Sequence, residues 1–161
     1  MRSKNKVRLI LFIYILSSTF VFADSSENNI LIKNQLYNFT TIKNNTDMAI
    51  DWELKGSMLT KYMNNITLIE KPFLNIYRTE STIDIKSDTA IDPLGNMEEI
   101  YLKDNVFINR EYPLTDISMK IYTSYAIFYV SKNLIETNLD VTIITYDSTT
   151  TGSSISANMY Y

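Results

Sequence analysis

The chain has 161 residues, no cysteine, no histidine and a formal net charge of −3. This length allows one domain plus a leader, and the missing residue types exclude disulfides, thiol chemistry and acid–base catalysis by histidine. Beyond residue 8 the chain carries 11 basic and 18 acidic residues. Such an acidic body argues against binding of nucleic acid, which depends on neutralising phosphates.

The first 23 residues have the pattern of an export segment. A basic start precedes an apolar run over residues 9–23, which ends in Val21-Phe22-Ala23 before the polar Asp24. As a helix this run would be about 22 Å long at roughly 1.5 Å per residue, whereas the hydrocarbon core of a bilayer is about 30 Å thick. The segment is therefore either a signal peptide cleaved after Ala23 or a single transmembrane anchor.

Two regions follow this leader. Residues 24–48 are polar and are predicted to form a tether, with one short strand around residues 29–37. From residue 49 onward apolar and polar residues alternate with the period of a β-strand, so the domain is predicted to span residues 49–161. Within it, residues 92–96 give the strongest turn signal. The longest alternation, over residues 117–129, predicts a strand with one apolar face, and residues 155–161 predict the last strand.

One strand pattern recurs along the chain. Residues 66–76, 100–109 and 135–143 have similar alternating sequences that begin 34 and 35 residues apart. Such a repeat indicates strands stacked into one long apolar surface. No segment after residue 24 has a helical apolar stripe. The predicted fold is all-β, with antiparallel hairpins stacked as a twisted β-jelly roll or V-shaped sandwich after one N-terminal apolar helix.

The carboxylates do not form a convincing catalytic pair. Glu98 and Glu99 are neighbours and would point to opposite faces of a strand. Asp84 and Asp88 share a face, but it is the polar face of their strand. With 3 glycines the chain also has no glycine-rich phosphate loop. We therefore expect no catalytic residue, no metal site and no cofactor.

The apolar face of the strands has two interpretations. It is either the core of an ordinary sandwich or a groove that accepts an apolar ligand. In both cases residues of equal parity within each strand point inward. The residues predicted to point inward are Trp52, Leu54, Ile66, Leu68, Ile83, Ile85, Ile100, Leu102, Met119, Ile121, Val141 and Ile143.

The order and spacing of these motifs resemble a known family. The motifs are Trp52-x-Leu54-x-Gly56, Ile66-x-Leu68-x-x-x-Pro72, Ile83-x-Ile85-x-Ser87, Ile100-x-Leu102-x-x-x-Val106-x-Ile108 and Glu136-Thr137-Asn138-x-x-Val141. Behind one N-terminal apolar segment, they resemble the LptC family of the lipopolysaccharide-export system. The resemblance implies a β-jelly roll whose interior accepts lipid A acyl chains, which makes the twelve inward residues a lipid-binding groove.

The resemblance also implies partners and a location. A member of this family is a single-pass protein of the inner membrane that faces the periplasm. It receives lipopolysaccharide from an inner-membrane ABC transporter and passes it to a related periplasmic protein, LptA, by pairing of edge strands. The last strand is expected to supply that docking edge, with Gly152, Ile155, Ala157 and Met159 at the contact.

Two alternatives to this function stay open at the level of sequence. One is a soluble, LptA-like bridge protein of the periplasm, released by cleavage after Ala23. The other is an adhesin-like β-sandwich that has no lipid cargo. A closed and fully packed interior would favour the adhesin-like alternative, and mature protein that begins at Asp24 would favour the soluble bridge.

Overall fold

The computed structural model describes residues 31–115 and 117–159, which form twelve strands. The strands are β1 (Ile32–Asn44), β2 (Ile50–Tyr62), β3 (Thr67–Glu70), β4 (Phe73–Tyr77), β5 (Thr82–Lys86), β6 (Thr89–Asp92), β7 (Glu99–Tyr112), β8 (Ile117–Tyr129), β9 (Leu134–Thr137), β10 (Val141–Ile144), β11 (Thr149–Gly152) and β12 (Ile155–Asn158). A short 3-10 helix at Val130–Lys132 separates β8 from β9. Every strand pairing is antiparallel, which confirms the predicted all-β antiparallel fold.

The N-terminal part of the chain is described from residue 31 onward. The predicted apolar helix and export segment, residues 1–23, lie outside the described residues. Within the described ranges no helix is long and apolar enough to cross a bilayer. The region predicted to be a polar tether contains a strand longer than expected, since β1 pairs with β2 along its length, from Ile32 to Asn44.

The twelve strands form a meander that is folded once across its strands. The long strands β1, β2, β7 and β8 each run through both halves of the fold, and the short strands β3–β4, β5–β6, β9–β10 and β11–β12 do the same as interrupted pairs. For example, β2 pairs with β4 over Trp52–Lys55 and with β3 over Met58–Lys61. The result is two layers that face each other. Layer A contains β4, β5, β10 and β11, and layer B contains β3, β6, β9 and β12.

The line along which the sheet folds is called the crease here. Residues of positive φ lie at the crease in three crossings. They are Asn38 on β1, Lys71 between β3 and β4, and the consecutive Asp104 and Asn105 on β7. Gly56 crosses it on β2, where an added Cβ would lie 2.6 Å from the Phe39 ring. Left-handed backbone and a missing Cβ let the strands bend sharply and pack closely, so these residue types account for the fold line.

The 34-residue sequence repeat corresponds to this geometry. Its three copies coincide with β3–β4, with β7 and with β9–β10. Each copy runs from layer B across the crease into layer A. The repeat therefore marks every second crossing of the meander, which is the spacing at which the chain returns to the same direction.

The inward face changes parity where two long strands cross the crease. On β2, Leu54 is buried in layer A, whereas Leu59 packs against the core in layer B. On β8, Ile121 is 1% exposed, whereas the next fully buried residue is Ala126. Residues 117–129 were predicted to share one apolar face. In the structure their odd-numbered residues point inward before the bend and their even-numbered residues point inward after it, because the bend shifts the pleat by one residue.

Both layers contribute isoleucines to one core. Ile85, Ile108 and Ile121 lie side by side on β5, β7 and β8 and are each 1% exposed. Ile69 of layer B is fully buried. Burial of such a side chain contributes about 1.5–3 kcal/mol relative to exposure, so the facing isoleucines hold the layers together near the crease.

The predicted turn at residues 92–96 is confirmed and is organised by a buried carboxylate. Asp92 is 1% exposed, and its Oδ1 accepts hydrogen bonds from the N–H groups of Leu94 and Gly95 at 3.3 and 2.8 Å. Its Oδ2 accepts the N–H of Met97 at 2.9 Å. Gly95 has φ of +69°, a conformation that favours glycine. The turn fixes the segment that carries Met97 and Glu98.

Candidate functional site

The space between the two layers contains a cavity of about 450 Å³. Its inner part is apolar and is closed at the crease. The apolar residues that line it are Trp52, Leu54, Ile69, Pro72, Leu74, Ile76, Ile85, Ala90, Met97, Ile100, Leu102, Phe128 and Val130. A volume in the range of about 300–1,000 Å³ is typical of pockets that hold small molecules.

At the crease end of the cavity, hydrogen bonds join successive crossings of the meander. The N–H of Lys71 donates to the carbonyl of Asp88 at 2.8 Å, and the N–H of Asp88 donates to the carbonyl of Asp104 at 2.9 Å. The Asp88 carboxylate also accepts Lys71 Nζ at 2.7 Å and Asn105 Nδ2 at 2.6 Å. These contacts, with that of Lys71 the largest, lower the pKa of Asp88.

The opposite end of the cavity carries the polar groups. Its margin in layer A, called lip A, contains Asp51 and Arg78, and its margin in layer B, called lip B, contains Glu98 and Asn133. Lys43 and Ser131 also line the cavity here. Since these residues are partly or fully exposed while most of the inner lining is buried, the cavity opens to water between the lips.

Arg78 connects the two lips. Its Nη1 donates to Asp51 Oδ1 at 2.7 Å within lip A, and its Nη2 donates to Asn133 Oδ1 at 2.7 Å across the opening. The guanidinium is largely enclosed, with a side-chain exposure of 17%. Lys43 Nζ lies 3.8 Å from the second oxygen of Asp51. The Asp51 carboxylate therefore lies between two cationic groups.

Trp52 supplies a further donor in the cavity wall. It lies directly opposite Lys43 in the pairing of β1 with β2. Its indole N–H is buried and finds no hydrogen-bond partner among the described residues. Buried donors are satisfied in the great majority of cases, so this N–H has unused capacity for an acceptor.

Five of the twelve predicted groove residues line the cavity: Trp52, Leu54, Ile85, Ile100 and Leu102. Five more belong to the same core without lining the cavity: Ile83, Met119, Ile121, Val141 and Ile143. The sequence pattern therefore identified inward faces on most strands. Whether these residues bind lipid stays a prediction.

Ile66 and Leu68 are placed differently from the prediction. Both are partly exposed and neither belongs to the core or the cavity lining, whereas Ile69 is fully buried and lines the cavity. The register explains this, because Ile69 lies opposite Leu59 on β2 and Ala90 on β6. The predicted parity on β3 was wrong by one residue, which moves a whole strand face.

Several cavity residues were missed by the sequence analysis. Phe128, which is 3% exposed, lies beyond the parity shift on β8, and Leu74 and Ile76 follow Pro72 on β4. Leu74 and Ile76 are spaced two residues apart on β4, so the strand pattern could have placed both on the inward face. No sequence signal pointed to the contact between Arg78 and Asn133, since 55 residues separate them in sequence.

The predicted docking edge lies in the last crossing of the meander. Ile155 and Ala157 are on β12, which pairs with β9, and Gly152 ends β11. Met159 is buried, and its N–H donates to the carbonyl of Asn133 at 2.6 Å. Since N–H groups alternate in direction along an antiparallel strand, those of Ile155 and Ala157 also point toward β9, and that of Ser156 points away.

The carboxylates that were set aside as catalytic candidates take structural positions. Asp84 accepts a hydrogen bond from Asn75 Nδ2 at 2.6 Å, and Asp88 is part of the crease. Glu98 lies at lip B. In the described part of the chain no group of three or more acidic residues is placed to hold a metal ion.

Comparison with known proteins decides the family. The family model described as "LptC: Lipopolysaccharide-assembly, LptC-related" matches residues 7–160. This chain belongs to the LptC family. Membership assigns it to lipopolysaccharide assembly and transport, as the resemblance of its motifs predicted. Among curated proteins, none matches the chain.

Proposed function

We propose that this LptC-family chain carries lipopolysaccharide by enclosing acyl chains in the cavity between layers A and B. The observation that carries the proposal is the distribution of polarity: the cavity is apolar inside, closed at the crease, and polar at the lips. An amphiphile bound there would have its hydrocarbon inside and its headgroup at the opening. An adhesin-like sandwich would have no use for such a cavity.

The apolar lining suits a ligand that is bound only for a time and then passed to another protein. Each methylene group removed from water gains about 0.8 kcal/mol. This interaction has no directional bonds, so a chain can slide from one apolar contact to the next. In this proposal the chain receives lipopolysaccharide from the inner-membrane ABC transporter, which does the work of extraction.

A photo-crosslinking pair on one strand tests the cargo. Phe128 lines the cavity, and Tyr122 on the same strand has 42% exposure and lies on the outer face. A benzophenone amino acid at position 128 should crosslink to lipopolysaccharide in cells, because its ring replaces an aromatic ring in the cavity wall. The same group at position 122 serves as the control. Equal labelling at both positions, or labelling at position 122 alone, would refute an acyl path between the layers.

Transfer to the next protein is proposed to use the edge strand β12. β12 pairs with β9 on one side, and among the described strands it has no partner on its other side. A strand at the edge of a sheet can accept a strand of a related β-protein. We propose that an LptA-like protein docks there and continues the apolar path.

Two proline substitutions test this docking, because they remove N–H groups that point in opposite directions from β12. Ser156→Pro removes an N–H that points away from β9, so capture of the partner should fall while β12 stays in place. Ala157→Pro removes an N–H that points toward β9 and should loosen β12 itself. Unchanged capture by a folded Ser156→Pro variant would place the docking edge elsewhere.

The N-terminal segment is proposed to be retained as a membrane anchor, with the β-domain in the periplasm. The family resemblance favours an anchor over a cleaved signal peptide. After alkaline carbonate extraction, the full chain should stay with the membrane fraction. Release of the whole protein, or mature protein that begins at Asp24, would support the soluble alternative.

A further inference from the structure

We infer that Arg78, Lys43 and Trp52 form a binding subsite for the anionic phosphate group of an amphiphile whose chain fills the cavity. This inference rests on the proposed function, and it adds a specific headgroup site to an otherwise non-directional groove. A chain inserted toward the crease leaves its polar end between the lips, where Arg78 and Lys43 lie, and Trp52 lies opposite Lys43 in the adjoining wall.

The subsite already holds an anion from the chain itself. Asp51 presents one oxygen to Arg78 Nη1 at 2.7 Å and lies with its other oxygen 3.8 Å from Lys43 Nζ. A carboxylate between a guanidinium and an ammonium group occupies the position that a phosphate would take. Arginine donates to carboxylate and phosphate oxygens alike, so a phosphate oxygen can replace the Asp51 oxygen on Nη1 of Arg78.

Trp52 gives the second, independent indication. Its buried indole N–H has no acceptor in the described structure, although it lies in the wall next to Lys43. The Asp51 carboxylate therefore leaves one donor of the wall unused. A phosphate has more acceptor oxygens than a carboxylate and can accept from this N–H in addition to the cations.

Binding in this subsite requires an exchange. Arg78 donates to Asp51, to Asn133 across the opening and to the carbonyl of Tyr77, so a phosphate that takes the position of the Asp51 carboxylate must displace that carboxylate. The internal carboxylate thus competes with the ligand. This competition predicts that removing the charge of Asp51 strengthens phosphate binding, which a purely structural role for the ion pair would not produce.

The test uses two amphiphiles with one chain. Dodecyl phosphate and dodecanol are titrated into the full-length protein held in amphipol, and binding is measured by calorimetry and by the fluorescence of Trp52, the single tryptophan. The wild-type protein should bind dodecyl phosphate about tenfold more tightly, as expected for hydrogen bonds to a charged group. Inorganic phosphate without a chain should bind far more weakly than dodecyl phosphate.

The variants separate the roles of the three side chains. Arg78→Ala should remove the preference for phosphate, measured as the ratio of the affinities for dodecyl phosphate and dodecanol, and Arg78→Lys should keep part of that preference. Asp51→Asn should increase the preference, and Trp52→Phe, followed by calorimetry alone, should reduce it. Lys55→Ala is the matched control, because Lys55 forms a comparable ion pair with Glu53 at 2.8 Å and does not line the cavity.

The outcomes distinguish the two proposals. Equal affinity for both amphiphiles, or a full preference that survives in folded Arg78→Ala, overturns the phosphate subsite and leaves the proposed function intact. Inorganic phosphate that binds as tightly as dodecyl phosphate shows a site for free phosphate and overturns the headgroup assignment. If dodecanol neither binds nor changes the emission of Trp52, the proposed function fails and the subsite fails with it.

Discussion

The crease and the lips of this folded sheet are held by different kinds of contact. At the crease, strands continue from one layer to the other, and backbone hydrogen bonds join Lys71 to Asp88 and Asp88 to Asp104. At the lips, Arg78 joins the layers through side-chain atoms. Backbone contacts within continuous strands break only when the sheet unfolds, whereas a side-chain bridge can exchange partners. The difference predicts that a change in the angle between the layers would take place at the crease and would separate the lips.

The largest expected effect is at the core near the crease. Ile69→Ala removes a fully buried side chain and should lower the free energy of unfolding by about 2–5 kcal/mol, because it leaves a cavity. Leu68→Ala is the matched control, since Leu68 is the partly exposed neighbour on the same strand. Urea unfolding measures both. A larger loss for Leu68→Ala would show that the inward face of β3 is the predicted one after all.

The second largest effect on the free energy of unfolding is expected at a close contact at the crease. Gly56→Ala places a Cβ 2.6 Å from the Phe39 ring and 3.1 Å from the carbonyl oxygen of Glu70. Such overpacking costs about 1–3 kcal/mol. In a double-mutant cycle, Phe39→Leu should recover part of the loss, because the smaller side chain leaves space. Thermal unfolding of the four proteins gives the coupling, and strictly additive effects would argue against the contact.

At the lips, opening should precede unfolding. Arg78→Ala should lower the free energy of unfolding by only about 1 kcal/mol, since a partly enclosed ion pair contributes little. It should nevertheless widen the distance between spin labels on cysteines introduced at Thr79 and Lys132, which are exposed on opposite lips. The chain has no cysteine of its own, so labelling is specific. The same distance distribution with and without Arg78 would exclude its bridging role.

The smallest expected effect concerns pH at the crease. The folded pKa of Asp88 is lowered from 3.8, first by Lys71 and then by Asn105. The stability that this gives is therefore present above 3.8 and is lost as the pH falls towards the lowered value. Wild-type protein should exceed Asp88→Asn in urea midpoint at pH 7, and the gap should narrow in acid. A gap that is independent of pH would mean that the charge of Asp88 is not involved.

Much of the fold could be predicted from residue alternation. The antiparallel strands, the turn at Asp92 and the inward faces of β5 and β7 are set by local pattern, because side chains alternate along a strand. The parity errors arose where the sheet bends. On β3 and β8 the apolar residues occur on both parities, so sequence alone could not select Ile69 over Leu68, or Phe128 over Ile127.

The site was less predictable than the fold. Its apolar wall follows from the strand pattern, but its polar opening depends on pairs that are distant in sequence. Arg78 meets Asp51 because β2 and β4 pair within layer A, and it meets Asn133 because turns on opposite layers face each other. The length of β1 was also missed, since its residues are mostly exposed and its pairing with β2 supplies the order that its composition does not indicate.

Because the sheet has a single fold line, a change in the angle at the crease would change the distance between the lips. From Gly56 at the crease to Trp52 near lip A the chain spans four residues, a lever of about 14 Å at roughly 3.4 Å per residue. A change of about 15° in the angle between the layers would separate the lips by about 4 Å, near the ~3.5–4.0 Å at which carbon atoms touch. A small rotation at the glycine and asparagine positions would therefore admit or release a hydrocarbon chain along its side, without threading it from an end.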